Sequence, residues 1–464
     1  MKKMMNRMLA AILVCSAMLG ASCQDSDNPV LPNETDNPAT TPTAAEESMP
    51  LTLEAKEAGA VVKLEKYQDP SLRNFYYKED DGEWKEYTLG TGITLEKAGD
   101  KVQFWSNNQA LHNGGSDYVH FTASAKCYVY GNVMSMIDDQ EGATAERPKF
   151  STDKVIGASH ALRMLFRDND NLLSHATIKL VLPATTLTQQ CYSAMFYKCS
   201  SLTEAPALEA TELKDNCYSS MFYGCTALAE APELKAETLA EACYYGMFSG
   251  CTALTEAPEL KAETLASYCY QSMFEGCSKL AEAPELPATK LASTCYYGMF
   301  SDCTALTETP ELKAETLAEA CYSYMFKGCT ALAEAPELPA TKLTEECYYS
   351  MFSGCTALAE APELPAEELA ETCYHSMFEG CTALTKAPEL KAAKLASRCY
   401  LSMFEGCSKL GSVKCLATDL SGENSLNDWL VDAGTEVASP KLYVDKSMTG
   451  AAWQNERFAV TAVE

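Results

Sequence analysis

From Cys191 onward, apolar and polar positions recur with a single 26-residue period, nine times and without an insertion, the last copy fading after Leu410. A Met-Phe pair marks each copy, beginning at Met195, Met221, Met247, Met273, Met299, Met325, Met351, Met377 and Met403. The copy from Cys243 to Tyr268 reads C-Y-x-x-M-F-x-G-C-x-x-L-x-x-A-P-x-L-x-A-x-x-L-x-x-x. In the unit around Cys269, Ser267 is placed to cap a helix. Cys269, Met273 and Phe274 then share one apolar face, and Gly276 stands where a left-handed closing residue is wanted. The spacing therefore predicts a short helix opening each copy. A short strand or extended turn over Leu280 to Leu286 should follow, ending at or just before Pro284, which removes a ladder donor.

One such unit cannot bury its own apolar side, whereas stacked units cover one another. The period and the fixed leucine offsets predict a leucine-rich-repeat solenoid. Nine coils at about 4.8 Å give a parallel ladder roughly 40–45 Å long. Its ends need caps. Residues 151–190, with Met164-Leu165-Phe166, Leu180 and Leu187, look like a degenerate first copy, and residues 411–464, with Trp429, Tyr443 and Trp453, like a C-terminal cap to the repeats of 191–410. Ahead of them, residues 51–150 carry short alternating runs such as Leu51 to Leu53, Val61 to Leu64 and Val102 to Trp105, separated by turn signals; these predict a small all-β sandwich. The expected fold class is thus an α/β solenoid, a right-handed stack of strand-plus-helix units, preceded by that sandwich.

Residues 1–22 resemble a bacterial lipoprotein signal peptide: Lys2, Lys3 and Arg7 precede the apolar run Met8 to Leu19, then Gly20-Ala21-Ser22-Cys23. The resemblance implies lipidation at Cys23. Residues 23–50 are polar and proline-rich, a composition that predicts a disordered tether reaching roughly 30 Å. Its acidic start, Gln24 to Asp27, resembles an export signal to the outer face of the outer membrane. An outer-membrane lipoprotein exposed at the cell surface is expected, held by lipid alone, because no other stretch is long and apolar enough to span a bilayer.

Charge and cysteine usage then narrow the chemistry. A formal charge of −28 argues against nucleic acid and anionic membrane surfaces as partners, since both would repel it. Eighteen of the 22 cysteines stand in two repeat columns, Cys191 through Cys399 and Cys199 through Cys407. Free thiols packed as core are the leading reading; disulfides, for which parallel ladder positions have unsuitable geometry, and a metal, for which no histidine accompanies the columns, are the alternatives. No cofactor or metal is expected. None of the five histidines recurs in the repeat, and the glutamates form columns, Glu230 to Glu360 and Glu233 to Glu389, rather than a convergent pair, so no catalytic residue is assigned and the protein is expected not to be an enzyme. The glutamate columns are expected to be a solvated face, with a grip on basic partner segments or loose calcium binding as the alternative.

Two cysteine columns, Met-Phe, leucine and the period together resemble the BspA-type leucine-rich repeat; this chain departs from that pattern by inserting Ala-Pro in its strand. The resemblance implies a surface or secreted protein that adheres to a protein ligand, including host extracellular matrix. Aromatic residues are enriched at binding hot spots, which makes the column Tyr192, Tyr218, Tyr244, Tyr270, Tyr296, Tyr322, Tyr348, Tyr374 and Tyr400 the contact candidate, beside the more common structural reading of a stacked ladder packed onto each Phe. Glycan capture by the sandwich, through Trp84 and Trp105, with the repeats as a spacer, is the alternative function.

Overall fold

The alternating runs ahead of the repeats become strands: β1 (Leu51–Ala55), β2 (Ala60–Tyr67), β3 (Phe75–Glu79), β4 (Lys85–Tyr87), β5 (Ile93–Leu95), β6 (Lys101–Ser106), β7 (Tyr118–Ala123) and β8 (Cys127–Asn132). The computed structural model describes residues 42–67, 72, 74–112, 114–115, 117–137, 154–451, 453–455 and 457–463. The expected signal peptide, Cys23 and the tether up to Thr41 lie outside the described residues. The last part of the expected tether is folded. Ala44–Glu47 form α1, closed by a capping box in which the Thr43 N–H donates to Glu46 Oε2 at 2.7 Å and the Glu46 N–H donates to Thr43 Oγ1 at 3.3 Å.

Two strands beyond the expected sandwich, β9 (Leu172–Ser174) and β10 (Leu180–Val181), join β8 in parallel. The resulting sheet runs β10-β8-β1-β6-β3-β4, with β9 also on β8, and faces a second sheet, β5-β2-β7. The expected all-β sandwich is therefore not a free-standing layer pair: α1 and a 3-10 turn at Val133–Met136 belong to it, and its core runs into the repeats. Phe104 meets Phe121 edge-on at 4.8 Å, Phe121 stacks on Phe166 at 5.6 Å, and Phe166 on Phe196 at 5.3 Å. Gly131, at φ +84°, is required where the chain passes α1, since a Cβ there would lie 2.3 Å from the Pro50 carbonyl oxygen.

The repeats correct the helix expectation. Each copy opens with a run of hydrogen-bonded turns in which every fourth residue is left-handed, as at Tyr268, Ser272 and Gly276 (φ 59°, 52° and 71°). Backbone donors alternate between two destinations. The N–H groups of Tyr192, Ala194, Phe196 and Lys198 donate to the carbonyls of Cys217, Ser219, Met221 and Tyr223 in the next copy, at 2.6 to 3.1 Å. Those of Ser193, Met195, Tyr197 and Cys199 donate three residues back, at 3.0 to 3.2 Å. Left-handed non-glycine residues each carry roughly 1–2 kcal/mol of strain, offset by hydrogen bonds that satisfy every donor in the run. The physical reason is pitch. A helix occupies about 10 Å, whereas the stacked phenylalanine rings repeat at 5.3 to 5.8 Å and the tyrosine rings at 5.8 to 6.2 Å.

The expected strand and continuous parallel ladder do not form over most of the repeats: among the described residues no strand stands between Val181 and Lys386, in keeping with a proline that removes one donor per copy. Adjacent copies share isolated parallel bridges, as at Glu230–Glu256, Glu282–Glu308 and Glu334–Glu360, two residues before the proline of each copy. Among the described repeat residues, strands pair in parallel only at the C-terminal end, through β11 (Lys386–Leu390), β12 (Ser412–Cys415), β13 (Lys441–Val444) and β14 (Ala459–Ala462); β11 runs through Pro388 instead of ending at it, with a shift of register between Lys386 and Glu389. There Val413-Lys414 replaces Ala-Pro and the donor returns.

Both ends hold copies that lack the consensus. His160, Met164 and Asp168 are left-handed, and Leu162 and Phe166 donate to Cys191 and Met195. Beyond Leu410, Asn424, Asp428 and Asp432 repeat the geometry, with Ser425, Leu426, Trp429 and Leu430 standing where Cys, Tyr, Met and Phe would be. The cap closes with the Trp429 indole N–H donating to the Trp453 carbonyl at 2.9 Å and Arg457 donating to the carbonyls of Gly434, Thr435 and Val437.

Candidate binding surface

The tyrosine column anticipated as the contact surface lies in the core. Tyr192, Tyr218, Tyr244, Tyr270, Tyr296, Tyr322, Tyr348, Tyr374 and Tyr400 are each 1–2 % exposed, ring stacked on ring within 17° of parallel. The alternation of donors turns this position inward beside Met and Phe, so a partner cannot reach it. The hydroxyls of Tyr192, Tyr218, Tyr244 and Tyr374 are buried without a hydrogen-bond partner.

The cysteine columns are free thiols, all buried. In the second column each thiol ties its copy to an earlier one. Cys225 Sγ donates to the Phe196 carbonyl of the preceding copy at 3.1 Å, and the same bond recurs from Cys199 (to Phe166, 3.0 Å) to Cys407 (to Phe378, 3.0 Å). A small apolar residue with a weak donor fits that place. Burial pushes the thiols up, Cys251 and Cys355 to about 12, which keeps them protonated and unreactive at neutral pH.

What reaches solvent is a different aromatic set, at positions where the copies differ from one another. Tyr245 and Tyr268 are 38 % and 41 % exposed. Further along, Tyr297, Tyr324, Tyr349 and His375 are partly exposed and form a continuous ladder across four adjacent coils. Tyr297 and Tyr324 lie 5.0 Å apart, Tyr324 and Tyr349 4.9 Å, and Tyr349 and His375 4.6 Å, with interplanar angles of 56° to 67°. The rings are inclined to one another, unlike the parallel stacks of the core. Tyr324 holds the ladder together from a left-handed position (φ 58°) occupied by Ala, Ser or Gly in the other eight consensus copies and by Met164 and Asp428 in the end copies. A bulky side chain there is an outlier.

Carboxylates border the ladder. Glu346 is partly buried, and its carboxyl is pushed up by that burial and then by Glu345, Glu319 and Glu371. Burial also raises the Tyr324 hydroxyl, with Tyr349 beside it, and lowers His375. On the strand side, the two glutamate columns are exposed for most of their length, and lysines of neighbouring copies partly pair them: Lys261 with Glu233 at 3.0 Å, Lys391 with Glu363 at 3.9 Å and Lys414 with Glu389 at 2.8 Å. Such exposed pairs contribute about 0–1 kcal/mol each and relieve the crowding of like charge. Of the tryptophans considered for sugar stacking, Trp105 is wholly buried beneath Tyr76, and Trp84 carries Lys78 over its ring at 5.7 Å. Among the described residues no group of three or more His, Cys, Asp or Glu is arranged to hold a metal ion, and no helix is long and apolar enough to cross a membrane.

Sequence comparison agrees with the repeat geometry. Residues 177–307, 220–358 and 300–421 match the family model described as BspA type leucine rich repeat region, in six copies. No curated protein and no solved structure matches the chain.

Proposed function

Because the chain belongs to the BspA-type leucine-rich-repeat family, we propose that it is a non-enzymatic, lipid-anchored cell-surface protein whose repeat stack docks a protein partner. Leucine-rich-repeat domains generally mediate protein binding and adhesion. The observation that carries the reading to one face is the ladder Tyr297-Tyr324-Tyr349-His375: four partly exposed aromatic rings in contact across neighbouring coils. Aromatic side chains with an apolar body and a polar tip dominate binding hot spots. Lipidation at Cys23, with the polar segment after it as a spacer, would present this face outside the cell.

The test is binding of the full-length chain to a panel of extracellular-matrix proteins and polysaccharides, beside the triple variant Tyr297→Ser, Tyr324→Gly, Tyr349→Ser. Saturable binding to a protein that the variant loses supports the reading. Polysaccharide binding equal in both chains overturns it, and returns the ligand to the N-terminal strands.

A further inference from the structure

Resting on that reading, we propose that the notch formed by Tyr297, Tyr324, Tyr349 and Glu346 takes the cationic side chain of a lysine or arginine in a basic segment of the protein partner. Three features combine. First, the tyrosine rings are tilted by 56° and 57° to one another rather than stacked, so ring face is not covered by the neighbouring ring as it is in the core columns, and a ring face is what a cation is attracted to. Second, the ring faces are already attractive to an ammonium: the chain's own Lys327 lies over Tyr324 at 5.1 Å. Third, the carboxylates at the rim are uncompensated. Arg398 approaches Glu371 at 3.8 Å, but among the described residues Glu319, Glu345 and Glu346 form no ion pair.

The charge arrangement fits a cation and repels an anion. Burial, and then the like charges around it, raise the Glu346 carboxyl; an incoming guanidinium or ammonium offsets that repulsion and lowers it again. Partial burial also strengthens the pairing relative to a fully exposed site. The sequence departs from the repeat to build this notch. The neighbouring copies carry Tyr297-Gly298 and Tyr349-Ser350, whereas the copy between them reverses the order to Ser323-Tyr324, placing a tyrosine on a left-handed backbone. That strain is retained where it closes the gap between Tyr297 and Tyr349.

The repeats themselves supply substitutions compatible with folding, because Ser stands in for Tyr349 at Ser193, Ser219 and Ser323, and Gly for Tyr324 at Gly246 and Gly298. A fluorescent hexa-arginine peptide is titrated into the purified full-length chain at physiological ionic strength, and a thermal melt of each variant checks that it is folded. The peptide is expected to bind saturably. Glu346→Gln and Tyr349→Ser each weaken it about tenfold, Glu285→Gln in the strand-side acidic column leaves it unchanged, and Lys327→Ser, which removes the competing ammonium, strengthens it. The proposal is overturned if Glu346→Gln and Tyr349→Ser bind like the parent, or if Glu285→Gln weakens binding as much as Glu346→Gln, since general attraction to an acidic chain then suffices. If a matrix protein depends on the three tyrosines while the peptide does not bind, the cation site falls and the docking face stands. If the peptide binds in the notch and no protein engages the tyrosines, the docking reading falls and the cation site stands.

Discussion

Raising the pH should unfold this protein through its cysteines. Twenty described cysteines are free and buried, and every pKa shift among them is upward; Cys251 moves from the ordinary 9.0 to about 12, with desolvation as the first cause. The direction of the linkage follows from proton binding. As pH approaches and passes 9 the unfolded chain loses thiol protons that the folded chain keeps, so the stabilisation is present in full at neutral pH, begins to fall about one unit below 9 and is lost as pH climbs toward 12. With an unfolded value of 9.0, each thiol forfeits about 0.2 kcal/mol at pH 8.5, about 0.4 at pH 9 and about 0.8 at pH 9.5. Over twenty sites these become roughly 3, 8 and 17 kcal/mol, against about 5–15 kcal/mol for the stability of a whole domain.

The expected transition therefore falls between about pH 9 and 10. Urea melts followed by circular dichroism, under a reductant and in steps from pH 7 to 10, should show stability already down by about 3 kcal/mol at pH 8.5. In a stack each coil depends on its neighbours, so the loss should spread along the array instead of remaining at one site. Stability that stays flat through pH 9.5 would refute the reasoning, because it would mean that the two columns are oxidised or metal-bound, or that the thiols are as solvated folded as unfolded.

Four further outcomes follow from the packing. A thiol-reactive reporter should label the described cysteines slowly in the native chain and all of them in denaturant; rapid native labelling of a repeat cysteine would place it outside the core. Tyr218→Phe should be neutral or stabilising by up to about 1 kcal/mol in denaturant melts, since it removes a buried hydroxyl without a partner; a loss of stability would reveal a bridging water. Trp429→Ala should cost about 3–5 kcal/mol and raise hydrogen exchange first in the coils nearest the C-terminus, where Trp429 and Trp453 close the stack; uniform exchange along the array would deny the capping role. Gly131→Ala should lower the thermal midpoint because its new methyl meets the Pro50 carbonyl at 2.3 Å; an unchanged midpoint would show that the Met49-Pro50 backbone moves aside freely.

The period, the two cysteine columns and the apolar positions of the core were legible in the sequence because a repeat displays its buried face again and again. The strand half was legible only in part: a strand in every copy and a continuous ladder were expected, but proline, by removing one donor per copy, leaves most copies joined by isolated bridges such as Glu282–Glu308. The helix expectation failed on pitch. Cys269, Met273 and Phe274 have helical spacing, but spacing along one chain does not contain the distance to the next coil, and that distance selects turns. The same omission misplaced the contact surface, because in a helix the tyrosine beside each cysteine can face outward, whereas in the turn run Tyr270 points inward. The ladder Tyr297-Tyr324-Tyr349 was hidden for another reason. It lies in variable columns, and a reading built on what recurs passes over departures such as Ser323-Tyr324.

Those departures matter because of the turn geometry. Coils backed by helices would stand about 10 Å apart on their outer side, and aromatic side chains on successive coils would be separated by solvent. Turns bring the backbone of one copy within hydrogen-bonding distance of the next at every second residue, and side chains on adjacent coils then meet at 4.6 to 5.0 Å. The core uses this closeness for parallel stacks of Phe and Tyr and for a thiol-to-carbonyl bond in each copy. The surface gains the same property: any two neighbouring copies that carry aromatic residues at these positions form a joined patch without further adjustment of the fold. Substitution in the outward columns can therefore compose a binding face from single side chains, while the inward columns stay fixed by packing. Tyr324, which accepts backbone strain to keep that patch unbroken, is where the demands of the surface outweigh those of the repeat.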